Sequence, residues 1–356
     1  VPPQNITGPY NSARPDGEAT LDMQYAAGVA NNVTTWYWTT DGWMLDWAED
    51  FFDTNVVPTS VSMSWGWTED AQCQITLCTN SQEYVNKCNV EFQKIGLRGV
   101  TLFASSGDQG APGDGDSHCF SNSEPLTSIF PGASPYVTSV GATMMLDPSQ
   151  VGGEIPVRDQ SINDQPVPPV CDSKGCVDIT STVEVACMYP EALITTGGGF
   201  SVYSNRAQLA PWQDSVVNTY LQTAVGLPPS NDYNSANRGF PDVSALGHNY
   251  LIYIDGGWAD VDGTSCSAPV WAGINALLNS YELNNGRNLT GFINPLLYQA
   301  YNDQPSIFYD IIDGNNTCTE SACCAYGYPT AVGWDAVTGL GTPDFSALIS
   351  YLASLA

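Results

Sequence analysis

Short apolar runs alternate with longer amphipathic segments along most of the chain. Four apolar runs have the length of β-strands: TSVSMSWG at 59–66, GVTLFASSG at 99–107, YVTSVGAT at 136–143 and LIYIDGG at 251–257. Strands that are apolar on both faces are typical of parallel sheets covered by helices. The pattern therefore predicts strands that are buried on both sides.

Four segments with helical periodicity lie around these strands. They are GEATLDMQYAAGVA at 17–30, WMLDWAEDFFDT at 43–54, SQEYVNKCNVEFQKIGLR at 81–98 and APVWAGINALLNSYELNNG at 268–286. Strands that alternate with helices predict an α/β fold with a mostly parallel central sheet and helices on both faces. In such sheets the active site lies at the carboxyl ends of the strands.

Nothing in the chain marks an internal repeat or a long linker, so we predict one domain over residues 1–356. The segment from Gly152 to Glu191 is rich in proline, aspartate and cysteine. It is interpreted as a surface excursion braced by disulfides. The chain begins at Val1 without a methionine or a signal peptide, which predicts a processed, mature form.

Charge narrows the possible partners. The chain has 37 acidic and 9 basic residues, a formal net charge of −28. Such a surface disfavours binding to nucleic acid or to anionic lipid. The charge could serve simple solubility, or it could indicate that the protein works at low pH, where carboxylates are protonated. No run of 18 apolar residues occurs, so no membrane span is predicted.

The eleven cysteines favour an oxidising compartment. Most fall into three local groups, Cys73, Cys78 and Cys88; Cys171, Cys176 and Cys187; and Cys318, Cys323 and Cys324, without the spacing of a zinc site. Disulfides are predicted, with Cys266 as the unpaired thiol. Asn-x-Ser/Thr sequons at Asn5, Asn32, Asn288 and Asn315 fit a glycoprotein in a secreted or lysosome-like, vacuolar location.

The segment DGTSCSAPVWAG (262–273) presents a candidate nucleophile, Ser265. Serine before a helix is often only an N-cap. The same pattern also places a nucleophilic hydroxyl at a helix start, where backbone N–H groups can support an oxyanion.

The proton acceptor for such a serine is not an obvious histidine. The two histidines, His118 and His248, lack the surroundings of a subtilisin-type triad, although a histidine-based mechanism stays open. Glu18 and Asp22 are four residues apart on a predicted helix and share a face. They could be an acidic helix start, or a coupled pair in which one carboxyl takes the serine proton.

Asp108 follows an apolar strand in the turn ASSGDQG. An aspartate in a glycine-rich turn is ordinary. If it keeps its proton, it can instead donate a hydrogen bond to a tetrahedral oxyanion.

Taken together, these motifs resemble those of the sedolisins, the serine-carboxyl peptidases of subtilisin-like fold. The resemblance covers nearly the whole chain. It rests on GEATLDMQY, VSMSWGWTED, ASSGDQG, TGGGFSVY, RGFPDVSALG, GTSCSAPVWAG, INPLLY and GWDAVTGLGTPDF, in this order. Each motif is weak alone, and their order makes the set specific.

The resemblance implies roles for these residues. Ser265 becomes the nucleophile, Glu18 the general base, Asp22 its partner and Asp108 the oxyanion acid. Trp65 matches a tryptophan that supports the acid network in some members. The expected substrate-binding residues are Ser64, Trp65, Gly66, Gly197, Gly198 and Gly199. Cys266 departs from the family, which more often has a small residue such as alanine after the serine.

The resemblance also implies one structural calcium ion. Asp310 and Asp335 would bind it with the backbone carbonyl groups of Ile311, Ala331 and Gly333, a set of hard oxygen ligands that suits Ca²⁺. Read without the resemblance, the two aspartates are ordinary loop acids.

The predicted function is an acid-acting serine-carboxyl peptidase that cleaves peptides or proteins as a monomer, by way of an acyl-enzyme. We expect an endopeptidase. The alternatives are a tripeptidyl peptidase of the same family and an inactive secreted binding module on the same scaffold.

Overall fold

A five-stranded central sheet organises the computed structural model, which describes residues 5–9, 16–113, 125–146, 170–172, 175–177 and 182–355. We number the elements of this part of the chain in order. The helices are α1 (Gly17–Val29), α2 (Met44–Asp53), α3 (Ser81–Leu97), α4 (Arg206–Leu209), α5 (Asp214–Thr223), α6 (Thr264–Asn284), α7 (Asn294–Asp303) and α8 (Phe345–Ser354).

The strands of the described residues are mostly short. They are β1 (Asn5–Thr7), β2 (Trp36–Trp38), β3 (Ser60–Met63), β4 (Trp67–Thr68), β5 (Thr101–Ser105), β6 (Ile129–Phe130), β7 (Thr138–Leu146), β8 (Val170–Asp172), β9 (Gly175–Val177), β10 (Val183–Ala186), β11 (Gly199–Asn205), β12 (Asn237–Phe240), β13 (Val243–Leu246), β14 (Tyr250–Ile254), β15 (Gly257–Val261), β16 (Phe308–Tyr309) and β17 (Thr342–Pro343).

The central sheet is mostly parallel, as predicted. Strand β5 pairs in parallel with β3 and with β7, and β13 pairs in parallel with β7. Strand β10 pairs antiparallel with the far end of β7. The carboxyl ends of β3 and β5 therefore lie side by side, and the loops that follow them meet at one edge.

Helices cover both faces of the sheet. Alternate residues of β5 point to opposite sides, so their contacts show which helices lie on each face. Phe103 belongs to the apolar cluster of α6, and its ring lies 6.3 Å from that of Trp271. Leu102 and Ala104 belong to the cluster that α2 and α3 form. All five residues of β5 and the first seven of β7 are buried, which confirms the expected two-sided burial for these two strands. The expectation is wrong for β3, which is buried only at Met63, and for β14, which is buried only at Ile252.

The structure corrects two details of the predicted sheet. The run at 251–257 does not join the central sheet; it forms β14 and the turn of an antiparallel hairpin with β15. Part of the expected surface excursion, Val183–Ala186, is instead a sheet strand with Val183, Val185 and Ala186 buried. Much of that excursion lies outside the described residues.

The cysteine prediction holds only in part. Cys73 bonds to Cys78 and Cys318 to Cys323, and Cys324 is disulfide-bonded as well. Cys266 is a buried free thiol, as predicted, but so are Cys88 and Cys187, which the grouping by proximity had assigned to disulfides. Both of these thiols are completely buried in apolar clusters, where a cysteine packs as a small hydrophobic residue. No described helix has the length and apolar character that crossing a membrane requires.

Candidate active site

The candidate site lies where the carboxyl ends of β3 and β5 face the first turn of α6. Ser64 directly follows β3, Asp108 lies three residues after β5, and Ser265 is the second residue of α6. Helix α1 packs across α6 and brings Glu18 to the same place. Four segments that are far apart in the sequence thus form one cluster.

Local sequence sets the position of the two acids on α1. Asp16 caps the helix, because its side chain accepts a hydrogen bond from the backbone N–H of Ala19 at 3.1 Å. The helix therefore begins at Gly17, which places Glu18 in the first turn and Asp22 one turn later on the same face.

Ser64 connects the acid pair to the candidate nucleophile. Its hydroxyl donates to Oδ1 of Asp22 at 2.7 Å, and its carbonyl oxygen accepts from the hydroxyl of Ser265 at 3.4 Å. The Ser265 hydroxyl also lies near enough to the Glu18 carboxyl to lower the pKa of that acid. The structure brings these four predicted residues together.

Both acids of α1 have raised pKa values. Burial raises the pKa of Glu18, and the nearby hydroxyl groups of Ser265 and Ser64 only partly oppose the rise; the negative charges of Asp108 and Asp16 add to it. Burial raises the pKa of Asp22 well above its usual range, the Ser64 hydrogen bond opposes this, and repulsion from Glu18 adds to it. The pair can therefore hold a proton under acidic conditions.

Asp108 is fixed beside the nucleophile by Thr264. Its Oδ1 accepts from both the backbone N–H and the hydroxyl of Thr264, each at 2.7 Å. The backbone N–H of Gly107 donates to the same hydroxyl at 3.2 Å. Oδ2 lies next to Gly263, where an added Cβ atom would meet it at 3.5 Å. The carboxyl thus adjoins the residues that precede Ser265.

His248 contacts Asp262 and Asn249 rather than the serine. Its Nδ1 lies 2.9 Å from Oδ1 of Asp262, and its Nε2 lies 2.8 Å from the amide nitrogen of Asn249. Both ring nitrogens therefore have partners other than Ser265. His118 lies outside the described residues.

The six expected substrate-binding residues separate into two groups. Trp65 is 61% exposed and directly follows Ser64, which contacts the nucleophile, while Gly66 lies against Ile129 and Phe130. Gly197, Gly198 and Gly199 are buried. The backbone N–H of Gly197 donates to the carbonyl of Gly107 at 2.6 Å, and the other two glycines lie against Ala336 and Tyr328. Burial favours a supporting role over substrate contact for these three glycines.

The two aspartates of the expected calcium site lie in adjoining turns. Oδ2 of Asp310 accepts from the backbone N–H of Gly333 at 2.8 Å, and Oδ2 of Asp335 accepts from that of Ala331 at 3.0 Å. Burial raises the pKa of Asp335 to about 7, backbone hydrogen bonds oppose the rise, and the charge of Asp310 adds to it. The two carboxyls are therefore near neighbours.

The surroundings of these aspartates fit a hard cation. Among the described residues, neither aspartate forms an ion pair with a basic side chain. The carbonyl oxygens of Ile311, Ala331 and Gly333 accept no hydrogen bond from the described part of the chain. Two acids and free carbonyl groups suit Ca²⁺, although no described group of three or more acidic, histidine or cysteine side chains forms a metal site.

Thr264 is a site residue that the sequence reasoning missed. Its hydroxyl joins Gly107 to Asp108, and its position directly before Ser265 was the available signal. The central position of Ser64 was also missed, because it was expected only to line the cleft.

This fold and this site define a protein of subtilisin-like fold in which half-buried carboxyl groups lie around the serine. Physarolisin from Physarum polycephalum is 52% identical over 354 residues, which cover 99% of this chain and 59% of that protein. Tripeptidyl-peptidase 1 from Mus musculus is 31% identical over 359 residues, 98% of this chain and 54% of that protein. No protein-family model matches the chain.

A solved structure agrees with these relatives. Pseudomonas sedolisin, a serine-carboxyl proteinase complexed with two molecules of pseudo-iodotyrostatin, superposes with a TM-score of 0.66 at 25% identity, over 98% of this chain and 84% of that one. The chain belongs to the sedolisin family. It spans between 54% and 59% of the length of these two curated relatives.

Proposed function

We propose that the protein is an acid-acting serine-carboxyl peptidase in which Glu18, and not a histidine, activates Ser265. The observation that supports this most directly is that the Ser265 hydroxyl, which donates to the Ser64 carbonyl at 3.4 Å, is near enough to Glu18 to lower the pKa of its carboxyl. The partners of His248, which are Asp262 and Asn249, support the same assignment.

The proposed reaction has two stages. Oγ of Ser265 attacks the carbonyl carbon of the scissile peptide bond while Glu18 takes the hydroxyl proton. Glu18 then gives this proton to the leaving amine as the C–N bond breaks, which leaves an acyl ester on Ser265. Glu18 next takes a proton from water, the hydroxide attacks the ester, and the proton returns to Ser265 as the acid product leaves.

Asp108 and Asp22 support this chemistry in different ways. In the proposal, protonated Asp108 donates a hydrogen bond from Oδ2 to the oxyanion, while Thr264 holds Oδ1. Asp22 lies next to Glu18 and is fixed by Ser64. A neutral Asp22 adds no second negative charge beside Glu18 when Glu18 ionises to act as the base.

The proposed pH dependence has two limbs. Glu18 must lose its proton to act as a base, so activity falls when the pH drops below its raised pKa. Activity also falls as the pH rises, because an ionised Asp108 can no longer donate to the oxyanion. A bell-shaped profile with an acidic maximum follows.

Ser265→Ala tests the proposal. We expect cleavage of a peptide substrate at about pH 4 to fall by at least about a thousandfold, because the attacking oxygen is gone. Ser280→Ala, an exposed serine farther along the same helix, is the matched control and should keep full activity. Undiminished cleavage by the Ser265 variant would refute the assignment.

We further propose endopeptidase specificity, since the solved neighbour is described as a proteinase. Similarity to tripeptidyl-peptidase 1 supports the alternative of tripeptide removal. Peptides with blocked and free amino termini distinguish them, because a tripeptidyl peptidase requires a free terminus. A peptide aldehyde that leaves Ser265 unlabelled at acid pH would instead favour an inactive binding module.

Calcium and location complete the proposal. One Ca²⁺ would be held by Asp310, Asp335 and the carbonyl oxygens of Ile311, Ala331 and Gly333, where it would tie the two loops together. The disulfides support an oxidising, secreted or lysosome-like location. We propose a monomer that acts on peptide or protein substrates.

A further inference from the structure

The side-chain amide of Gln24 on helix α1 forms two hydrogen bonds with the backbone of the β14–β15 hairpin, one through its nitrogen and one through its oxygen. Its Nε2 donates to the carbonyl oxygen of Tyr253 at 2.8 Å, and the backbone N–H of Tyr253 donates to its Oε1 at 3.1 Å. The side-chain amide therefore pairs with Tyr253 as a neighbouring strand would.

The hairpin continues directly into the segment that carries Ser265. Strand β15 ends at Val261, and α6 begins at Thr264. A small apolar cluster of Leu21, Ile252 and Cys266 joins α1, the hairpin and the first turn of α6. The hairpin thus contacts both the helix of the general base and the helix of the nucleophile.

We propose that Gln24 is a positioning residue that fixes the Glu18 carboxyl relative to the Ser265 hydroxyl by locking α1 to this hairpin. The inference rests on the proposed function, since it concerns the geometry of that reaction. Gln24 itself does not touch the reacting atoms.

Directional bonds are needed here because apolar packing alone does not fix the register of α1 on the hairpin. The rings of Tyr25 and Tyr250 lie 4.3 Å apart and give contact without direction. The outer face of the hairpin adds no support, since Tyr253 and Trp258 are 50% and 69% exposed. Besides the Gln24 pair, one directional bond from α1 reaches the hairpin within the described chain, from the Tyr25 hydroxyl to the carbonyl of Leu251 at 2.9 Å.

Gln24→Glu converts this contact into one that depends on pH. A protonated carboxyl has one donor and one acceptor, so it can replace both bonds of the amide. An ionised carboxyl can still accept from the N–H of Tyr253, but it places a second oxygen against the carbonyl and loses that bond. An unperturbed glutamate has a pKa of about 4.3, which lies within the proposed working range.

The charged groups of the surrounding elements would raise the pKa of the new carboxyl. Helix α1 carries Glu18 and Asp22, and the hairpin carries Asp255 and Asp260, with no basic residue on either. Helix α6, which also packs on α1, carries only Glu282, near its far end. Repulsion among acids raises the pKa of each, so the variant should match the wild type at the acidic end of the range.

The experiment compares the kcat of Gln24→Glu with that of the wild type on one peptide, from about pH 3.5 to about pH 6. We expect a ratio near one at the acidic end and a fall of about three- to tenfold at the upper end, the equivalent of one lost hydrogen bond, with KM unchanged. Gln24→Ala should lower kcat by a similar factor at every pH. Because a single sample is moved between pH values, a reversible change excludes a folding defect.

Gln93→Glu is the matched control. Gln93 lies on α3, where its amide donates to the carbonyl of Asn89 of the same helix, so this variant adds the same acid away from the site. Its ratio to the wild type should not change with pH. A constant ratio for Gln24→Glu, or an unchanged kcat for Gln24→Ala, overturns the inference while the peptidase assignment stands. A wild-type protein that neither cleaves peptides nor is labelled at Ser265 removes the proposed function and this inference together.

Discussion

At the scale of single residues, burial decides which protonation states the acids of the candidate site can adopt. Glu18 and Asp22 lie on one helix face, and no basic side chain of the described residues pairs with either, so burial raises the pKa of both. Glu69 shows the same effect away from the serine. It is fully buried, and its pKa is raised although Ser128, Ser201 and the N–H of Val202 donate to it.

Replacing Glu18 with glutamine tests the general base. We expect kcat to fall by about a hundredfold to ten-thousandfold at acid pH, because the amide cannot accept the serine proton. The fold should persist, since glutamine has the same shape. The double variant His118→Gln, His248→Gln should stay active, and the opposite pattern, with an active Glu18 variant, would restore a histidine mechanism.

Replacing Asp22 with asparagine tests the raised pKa through stability. A folded-state pKa above the unfolded value of about 3.9 gives stability that is fully present below that pH and is lost as the pH rises through the folded pKa. Asparagine does not titrate, so the fall in Tm between about pH 4 and pH 7 should be smaller in the variant. Asp50→Asn, an exposed acid on α2, should leave the fall unchanged, and equal falls in all three proteins would contradict the prediction.

At the scale of elements, the distance between α1 and α6 is set by a close approach at Gly273. A Cβ atom added there would lie 2.9 Å from Cβ of Val29 and 3.2 Å from the carbonyl oxygen of Ala26. Real side chains do not pack so closely, so only glycine allows this contact. The approach brings together the helices that carry Glu18 and Ser265.

Gly273→Ala should push the two helices apart. Overpacking should lower the free energy of unfolding by about 1–3 kcal/mol, which exceeds the gain of up to about 1 kcal/mol from the better helix propensity of alanine. The kcat should also fall, because Glu18 moves away from Ser265. Gly28→Ala on α1 is the matched control, because an added Cβ atom meets nothing within 4 Å there. Denaturant unfolding measures the stability of both variants. A Gly273 variant as stable as the Gly28 variant would show that the two helices have space for the added methyl group.

The loop closed by the Cys318–Cys323 disulfide is also connected to the Asp108 segment. The hydroxyl of Thr195 donates to the carbonyl of Thr319, inside the loop closed by the Cys318–Cys323 disulfide. The backbone N–H of Thr195 donates to the carbonyl of Asp108 at 2.9 Å. The disulfide loop is thus linked through Thr195 to the segment of the proposed oxyanion acid.

At the scale of the whole molecule, buried polar groups join distant parts of the chain. Arg238 and Asp242 form an ion pair that is completely buried. Asp242 also accepts from Tyr298 on α7 and from the backbone N–H of Ser139 on β7. Such a network is costly to break, because removal of one partner leaves an unpaired buried charge.

Calcium removal tests the proposed ion at this scale. A ligand that binds only the folded state at one hundred times its Kd stabilises it by about 2.7 kcal/mol, so a strong chelator at about pH 6 should lower Tm. Asp310→Asn should lower Tm by itself and abolish most of the further effect of the chelator. Identical melting curves with and without chelator would remove calcium from the proposal.

Much of this molecule follows from local sequence. Helices α1, α2 and α3 begin and end within one residue of their predicted bounds, because the caps Asp16 and Asn80 and the amphipathic periodicity of α2 and α3 act over a few residues. The strands that precede Ser64 and Asp108 were likewise readable from short apolar runs. Strand β13 was not, since VSAL is too short to have a period of its own.

Local sequence accounts for most of the helices and strands, for the family resemblance and for the chemical types of the site residues, since these depend on neighbours along the chain. The packing of the folded chain determines which groups meet: Ser64 with Asp22, Thr264 with Asp108, and Gln24 with Tyr253. It also decided that Cys88 and Cys187 stay unpaired and that the 251–257 run leaves the central sheet. These contacts join residues far apart in the chain, and their distances are set by the packing of whole helices and strands, which no local pattern encodes.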